Sequence, residues 1–83
     1  MDTRIFYLEM SDEATSLYMI MDRIVDWGGR ITTEAIDPYW FGTERQLFQA
    51  IEELKSRGVI SQLNESGRDQ FRIRPVEAWR MHH

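Results

Sequence analysis

The chain has 83 residues, no cysteine and a net charge of −4 at pH 7. This length fits a single small domain over residues 1–83, the lack of cysteine excludes disulfide bridges and thiolate metal sites, and no apolar run reaches the ~18 residues that a membrane helix requires. We therefore expect one cytoplasmic globular domain that does not enter a membrane.

The charge is unevenly distributed along the chain. Residues 1–54 contain eleven acidic and four basic residues, whereas residues 55–83 contain three acidic and six basic residues. A net negative charge argues against a protein held on nucleic acid by bulk electrostatics, because neutralisation of phosphates supplies most nonspecific affinity. The only basic balance lies at the C-terminal end of the chain.

The first part of the chain predicts an extended segment and then a helix. Residues 5–8 are β-branched or aromatic, which favours a short strand or an extended arm within residues 1–10. Ser11 or Asp12 can cap a helix that continues to about Trp27, where two glycines end it. The apolar stripe of this helix consists of Leu17, Ile20, Met21, Ile24 and Trp27.

A bridge residue and a very short helix are predicted next. We expect Ile31 to pair as a one-residue strand, after which Thr32 or Thr33 caps a short helix that includes Ile36. Pro38 then either ends that helix or occupies the first position of a new turn.

Three large aromatic residues follow without interruption: Tyr39, Trp40 and Phe41. No helix or strand period can bury all three on one face. Either two of them fill the core under the short helix, or exposed members form a surface that contacts another protein.

The best-defined helix begins at Thr43. Gln46 lies three residues later, so the two residues can form a capping box. Gly58 occupies the position of a left-handed C-cap, where Val59 can pack back onto Leu54. The expected buried stripe consists of Leu47, Ile51 and Leu54 with the flanking Phe48, and the expected exposed residues are Arg45, Gln49, Glu52, Glu53 and Ser56.

Two short alternating runs predict a β-hairpin after this glycine. They cover residues 60–63 and 70–74, and residues 64–68 supply turn-forming side chains between them. Phe71 and Ile73 are expected to face the core. Beyond the hairpin, Trp79 is expected to cover the core from a last helical turn, as is Trp27 from the first helix.

The order of helix, bridge residue, short helix, turn, long helix, glycine and hairpin resembles the winged helix-turn-helix superfamily. The resemblance covers residues 13–74 and includes the segment ELKSRGVI and the hairpin tip NESGR. It implies an α+β fold with three helices and a C-terminal β-hairpin wing, followed by a short tail at residues 75–83. In that family the helix matching residues 43–57 usually enters the DNA major groove, and the wing usually touches phosphate or the minor groove.

The residues predicted to bind double-stranded DNA are Thr43, Arg45, Gln46 and Gln49 in the helix and Arg68, Arg72 and Arg74 in the hairpin. Long donor and acceptor side chains early in the helix can reach base edges, and the hairpin arginines can contact phosphate. The alternatives are a solvated helix face, on which Glu52 and Glu53 repel phosphate, and arginines that only keep an edge strand soluble.

The leading functional prediction is a transcriptional regulator that binds DNA, acting as a homodimer because one such domain offers few phosphate contacts. The alternative is a protein-interaction module, such as an adaptor or a small phage-type inhibitor, that uses its acidic first helix and the aromatic residues Tyr39, Trp40 and Phe41. We expect no enzymatic activity, cofactor or metal site, because nucleotide-binding and metalloprotease motifs and an internal histidine are all missing. The terminal pair His82-His83 could bind only adventitious metal.

Overall fold

A computed structural model of the chain describes residues 3–65 and 68–80, with the side chains of these residues except 64–65 and 68–69. The described residues form an α+β fold of three α-helices, three short 3₁₀ segments and a three-stranded antiparallel sheet. The helices are α1 (Asp12–Asp26), α2 (Thr33–Ile36) and α3 (Glu44–Ser56), the strands are β1 (Ile31–Thr32), β2 (Ile60–Glu65) and β3 (Arg68–Ile73), and the 3₁₀ segments are Thr3–Leu8, Asp37–Tyr39 and Val76–Ala78. None of the helices in these ranges is long and apolar enough to cross a lipid bilayer.

Helix α1 begins and ends where its capping residues predict. The side chain of Ser11 accepts a hydrogen bond from the backbone N–H of Ala14 at 3.2 Å, so Ser11 is the N-cap. At the other end, Gly28 has a φ of +78° and its N–H donates to the Val25 carbonyl at 2.9 Å. The positive φ that this turn requires is the conformation that glycine adopts most easily.

Helix α3 has the predicted caps at both ends. Thr43 and Gln46 form the reciprocal capping box. Gly58 has a φ of +72°, and the N–H of Val59 donates to the carbonyl of Leu54 at 3.0 Å. Leu54 and Val59 are both fully buried in the same hydrophobic core, as the predicted apolar contact across the C-cap requires.

The sheet has the strand order β1-β3-β2, with β1 paired to β3 through Ile31 and Phe71. Pairing in the hairpin continues from Ile60 opposite Ile73 to Glu65 opposite Arg68. The prediction of a turn over residues 64–68 is therefore wrong at residues 64, 65 and 68, which belong to the strands. The hydrogen bonds of the ladder hold these weak strand formers in an extended conformation. Residues 66–67 of that predicted turn lie outside the described residues.

The segment Thr3–Leu8 is a 3₁₀ helix, so the prediction of a strand or extended arm there is wrong. Ile5 and Leu8 are both fully buried. A 3₁₀ helix places residues three positions apart on the same side, whereas a strand would turn them to opposite faces. The helical turn therefore lets both side chains enter the core from the same side of the segment.

The hydrophobic core extends beyond residues 13–74 to include Ile5, Leu8 and Trp79. The ring of Trp79 meets Tyr18 edge to face at a centroid distance of 5.5 Å, and its Nε1 donates to the carbonyl of Arg74 at 2.9 Å. The prediction that Trp79 covers the core is confirmed. The pair His82-His83 lies outside the described residues.

Two aromatic side chains predicted for the apolar stripes are exposed instead. Trp27 is 62% exposed and Phe48 is 54% exposed. Trp27 follows the last turn of α1, and the chain turns away at Gly28 before another element covers the ring. Phe48 lies about 100° around α3 from Leu47, and the core buries Ala50 on the opposite flank of the stripe instead.

Candidate functional site

At the start of α3, two of the side chains predicted to bind DNA hydrogen-bond within the helix. Thr43 Oγ1 accepts the N–H of Gln46 at 3.1 Å, and Gln46 Oε1 accepts the N–H of Thr43 at 2.8 Å. Gln46 is also half-buried. The acceptor oxygens of both side chains therefore satisfy the helix N-terminus, and the residues free to extend outward here are Arg45 and Gln49.

The exposed face of α3 has little net positive charge. Arg45 and Gln49 are exposed as predicted, but so are the acidic residues Glu44 and Glu52. The cation at the other end of the helix, Lys55, lies 3.4 Å from a Glu52 oxygen and donates to Gln62 of β2 at 2.9 Å. Phosphate would meet acidic and basic side chains in similar number on this face.

The two hairpin arginines whose side chains are described, Arg72 and Arg74, are both exposed and lie two positions apart in the chain. Arg72 is exposed on the central strand opposite Ser61. Arg74 lies at the base of the hairpin, where a methyl group added to Gly58 would be 3.7 Å from its Nη1. Since α3 rises about 1.5 Å per residue, Arg74 lies roughly 20 Å from Arg45 along the helix axis. The side chain of Arg68 lies outside the described ones.

The three consecutive aromatic residues have different environments. Trp40 is half-buried against the core, and its Nε1 donates to the carbonyl of Thr43 at 3.0 Å. Tyr39 is 44% exposed and Phe41 is 86% exposed. The single 3₁₀ turn at Asp37–Tyr39 is too short to cover two rings, so only one of the three packs and the expectation that two fill the core is wrong.

The exposed aromatics border a groove on the surface of α1. The ring centroids of Trp27 and Tyr39 are 5.7 Å apart, and Phe41 stacks on Trp40 at 6.2 Å. The groove has a volume of about 290 Å³. We call it the aromatic groove, and its lining residues are Ser16, Met19, Ile20, Arg23, Ile24, Trp27, Tyr39 and Phe41.

The α1 wall of the aromatic groove is a second stripe on that helix. At 100° per residue, Ser16, Arg23 and Trp27 fall within about 40° of one another, well away from the core-facing Leu17 and Met21. The helical period predicted Trp27 for the core, and no sequence pattern singled out Met19 or Arg23. The available signal was the number of large apolar residues on α1, which exceeds what one helix face can bury.

A second groove of about 230 Å³ adjoins the first and shares Ser16 and Phe41 with it. Its α1 side carries Asp12 and Glu13, both exposed in the first turn of the helix. Neither carboxylate forms an ion pair with another residue in the described part of the chain. We call this the acidic groove. Phe41 lines both the aromatic groove and the acidic groove.

Among the described side chains, those of residues 3–63 and 70–80, no group of three or more histidine, aspartate or glutamate residues is placed to hold a metal ion. A comparison of the chain with protein families, curated proteins and solved structures found no match.

Proposed function

We propose that the chain is a winged helix-turn-helix domain that acts as a protein-interaction module, with the aromatic groove as its contact surface. Support for the winged-helix assignment comes from the order α1, β1, α2, α3, β2, β3 and from a sheet in which the short β1 pairs with the second strand of the hairpin. An adaptor or a small inhibitor of another protein is the kind of function that this implies.

The observation that carries the proposal is the exposure of Trp27, Tyr39 and Phe41 around one apolar groove. Removing apolar surface from water is favourable by about 25 cal/mol per Å², so a cluster of exposed rings is a site where binding yields free energy. Aromatic residues are also the commonest anchors of protein interfaces. Phe41 has few intramolecular contacts to lose when a partner covers it.

Binding of double-stranded DNA is the second candidate, and the exposure of Arg45 and Gln49 at the start of α3 favours it. Both side chains are of types that read base edges. It ranks second because Glu52 shares that helix face, because the exposed Glu44 lies next to Arg45 in the chain, and because Arg74 lies beside the far end of α3. A homodimer acting as a transcriptional regulator would place two such faces on one site.

The experiment that tests the leading proposal replaces Phe41 with a photo-crosslinking phenylalanine derivative in the intact chain. The same replacement at Phe48, another exposed aromatic residue outside both grooves, is the matched control. We expect a defined partner to crosslink at position 41 and not at position 48, and the purified pair to lose affinity on Phe41→Ala. Equal crosslinking at both positions, or none, would overturn the proposal.

A further inference from the structure

We propose that the aromatic groove binds an amphipathic helix of a partner protein, with apolar side chains in the groove and lysine or arginine side chains against Asp12 and Glu13. This inference rests on the proposed function and deepens it, because it names the chemistry of the partner. Three features support it: the length of the groove, its volume and the charges at its end.

The groove has the dimensions of a helix-binding site. Its α1 wall extends from Ser16 to Trp27, a rise of roughly 16 Å at 1.5 Å per residue. Tyr39 and Phe41 form the opposite wall, and the buried Ile24 contributes to the floor. About three turns of a partner helix match this length, which corresponds to apolar residues at i, i+4 and i+7.

Because Trp27, Tyr39 and Phe41 are exposed, the groove is open to solvent, and its volume suits a row of side chains better than an enclosed small molecule. Sites for small ligands usually enclose about 300–1,000 Å³ and surround most of the ligand. The aromatic groove holds about 290 Å³ between a helix and exposed rings. It therefore fits successive side chains from one face of a helix, each with its backbone outside the groove.

The charges select a basic helix. Asp12 and Glu13 lie at the end where the aromatic groove meets the acidic groove, and the single cation in either lining is Arg23. A lysine-bearing partner would supply counter-charges to the two carboxylates, whereas an acidic partner would meet repulsion. Such complementary charges also accelerate encounter between the two proteins.

The same charges disfavour a second copy of this chain as the occupant. Residues 1–54, which supply every lining residue of both grooves, contain eleven acidic and four basic residues. Two copies facing each other through this surface would juxtapose acidic residues on both sides. Like-charge contacts of this kind suppress association.

The test uses the full chain and three fluorescein-labelled, tryptophan-free peptides of ~18 residues, long enough for five helical turns. The first has a leucine stripe and lysines elsewhere, the second has the same stripe with glutamates, and the third is a scramble of the first without a stripe. Fluorescence anisotropy measures binding. We expect the first peptide to bind about tenfold or more tightly than the second and the third.

Variants of the protein locate the binding site. Phe41→Ala should lower the affinity for the lysine peptide about tenfold, as loss of an interface anchor does, whereas Phe48→Ala should leave that affinity unchanged. The double variant Asp12→Asn/Glu13→Gln should lower the affinity for the lysine peptide by about two- to fivefold, and Arg23→Gln should raise it. Glu77→Gln, at an exposed acidic residue outside both grooves, is the control for a change of charge alone.

The possible failures are distinct. If the glutamate peptide binds as tightly as the lysine peptide and both require Phe41, the inferred charge is overturned and the proposed function stands. If Phe41→Ala leaves lysine-peptide binding unchanged, or no peptide binds, the inferred occupant is overturned while the crosslinking at position 41 still decides the proposed function. If sedimentation analysis shows a dimer that Phe41→Ala dissociates, the occupant of the groove is a second copy of this chain, and the inferred basic helix is overturned.

Discussion

Glu53 of α3 holds Ser11 at the start of α1 through two hydrogen bonds. Its Oε2 accepts the backbone N–H of Ser11 at 2.8 Å, and its Oε1 accepts the Ser11 hydroxyl at 2.8 Å. The same hydroxyl oxygen accepts the N–H of Ala14 as the N-cap of α1. One carboxylate thus joins two helices whose contacting residues are 42 positions apart in the chain.

We expect Glu53→Ala to lower the free energy of unfolding by about 1–2 kcal/mol, because two charge-assisted hydrogen bonds at a partly exposed site are lost. Urea denaturation measures the change. Glu52→Ala is the matched control, since Glu52 is exposed and, within the described residues, makes only one long ion pair, with Lys55 at 3.4 Å. Equal effects of the two variants would show that the contact with Ser11 contributes nothing.

Truncation of the buried side chains of α3 should strongly destabilise the fold. Leu47→Ala, Ile51→Ala and Leu54→Ala should each destabilise the fold by roughly 2–5 kcal/mol, because a core cavity adds to the lost transfer free energy. Phe48→Ala should cost much less, since most of that ring already contacts water. Denaturant midpoints give the comparison, and a Phe48 variant as unstable as the other three would contradict the helical phase.

Two glycines with positive φ allow backbone strain to be separated from crowding. Gly28→Ala should cost about 1–2 kcal/mol for the left-handed conformation alone, because a methyl group there meets nothing within 4 Å. Gly58→Ala should cost more, because its methyl group would lie 2.7 Å from the carbonyl oxygen of Ala78. Thermal unfolding of the two variants should rank them in that order; the reverse order would contradict the close approach at Gly58.

Substitutions of the adjacent residues Trp40 and Phe41 should have different effects on the stability of the fold. Trp40→Ala removes a ring packed on the core and a hydrogen bond to Thr43, so we expect a loss of about 2–4 kcal/mol in stability. Phe41→Ala should change stability by less than about 0.5 kcal/mol, as surface substitutions do. Circular dichroism melting curves test both, and unfolding of the Phe41 variant would show that its ring supports the fold.

The positions of the arginines yield a test of DNA binding by salt titration. If duplex DNA binds through the start of α3, Arg45→Ala should flatten the salt dependence by about one counterion. Arg74→Ala should not, since Arg74 lies beside Gly58 at the opposite end of α3. Gln49→Ala should mainly relax base preference. Equal slopes for Arg45→Ala and Arg74→Ala would contradict this placement, and no saturable binding at all would remove the DNA candidate.

The order of the elements and most of their ends were predictable from the sequence. Capping of α3 by Thr43 and Gln46 and its termination at Gly58 depend on hydrogen bonds between residues three to five positions apart. Such bonds require only the local backbone, so the residue types at those positions carry the information. The same holds for the stripe of Leu47, Ile51 and Leu54, which recurs with the helical period.

The candidate site depended on the tertiary structure. Helical periodicity assigns each side chain an angle around its own axis, but it does not say which element lies opposite that angle. The period therefore predicted Trp27 to be in the core, whereas the turn at Gly28 places it beside Tyr39. It predicted Glu53 to be solvated, whereas the packing of α1 places Ser11 within hydrogen-bonding distance of it. The caps and stripes of this protein were determined by its sequence alone, because their contacts are local. The aromatic groove, the acidic groove and the separation of Arg74 from Arg45 were decided only when distant segments packed together.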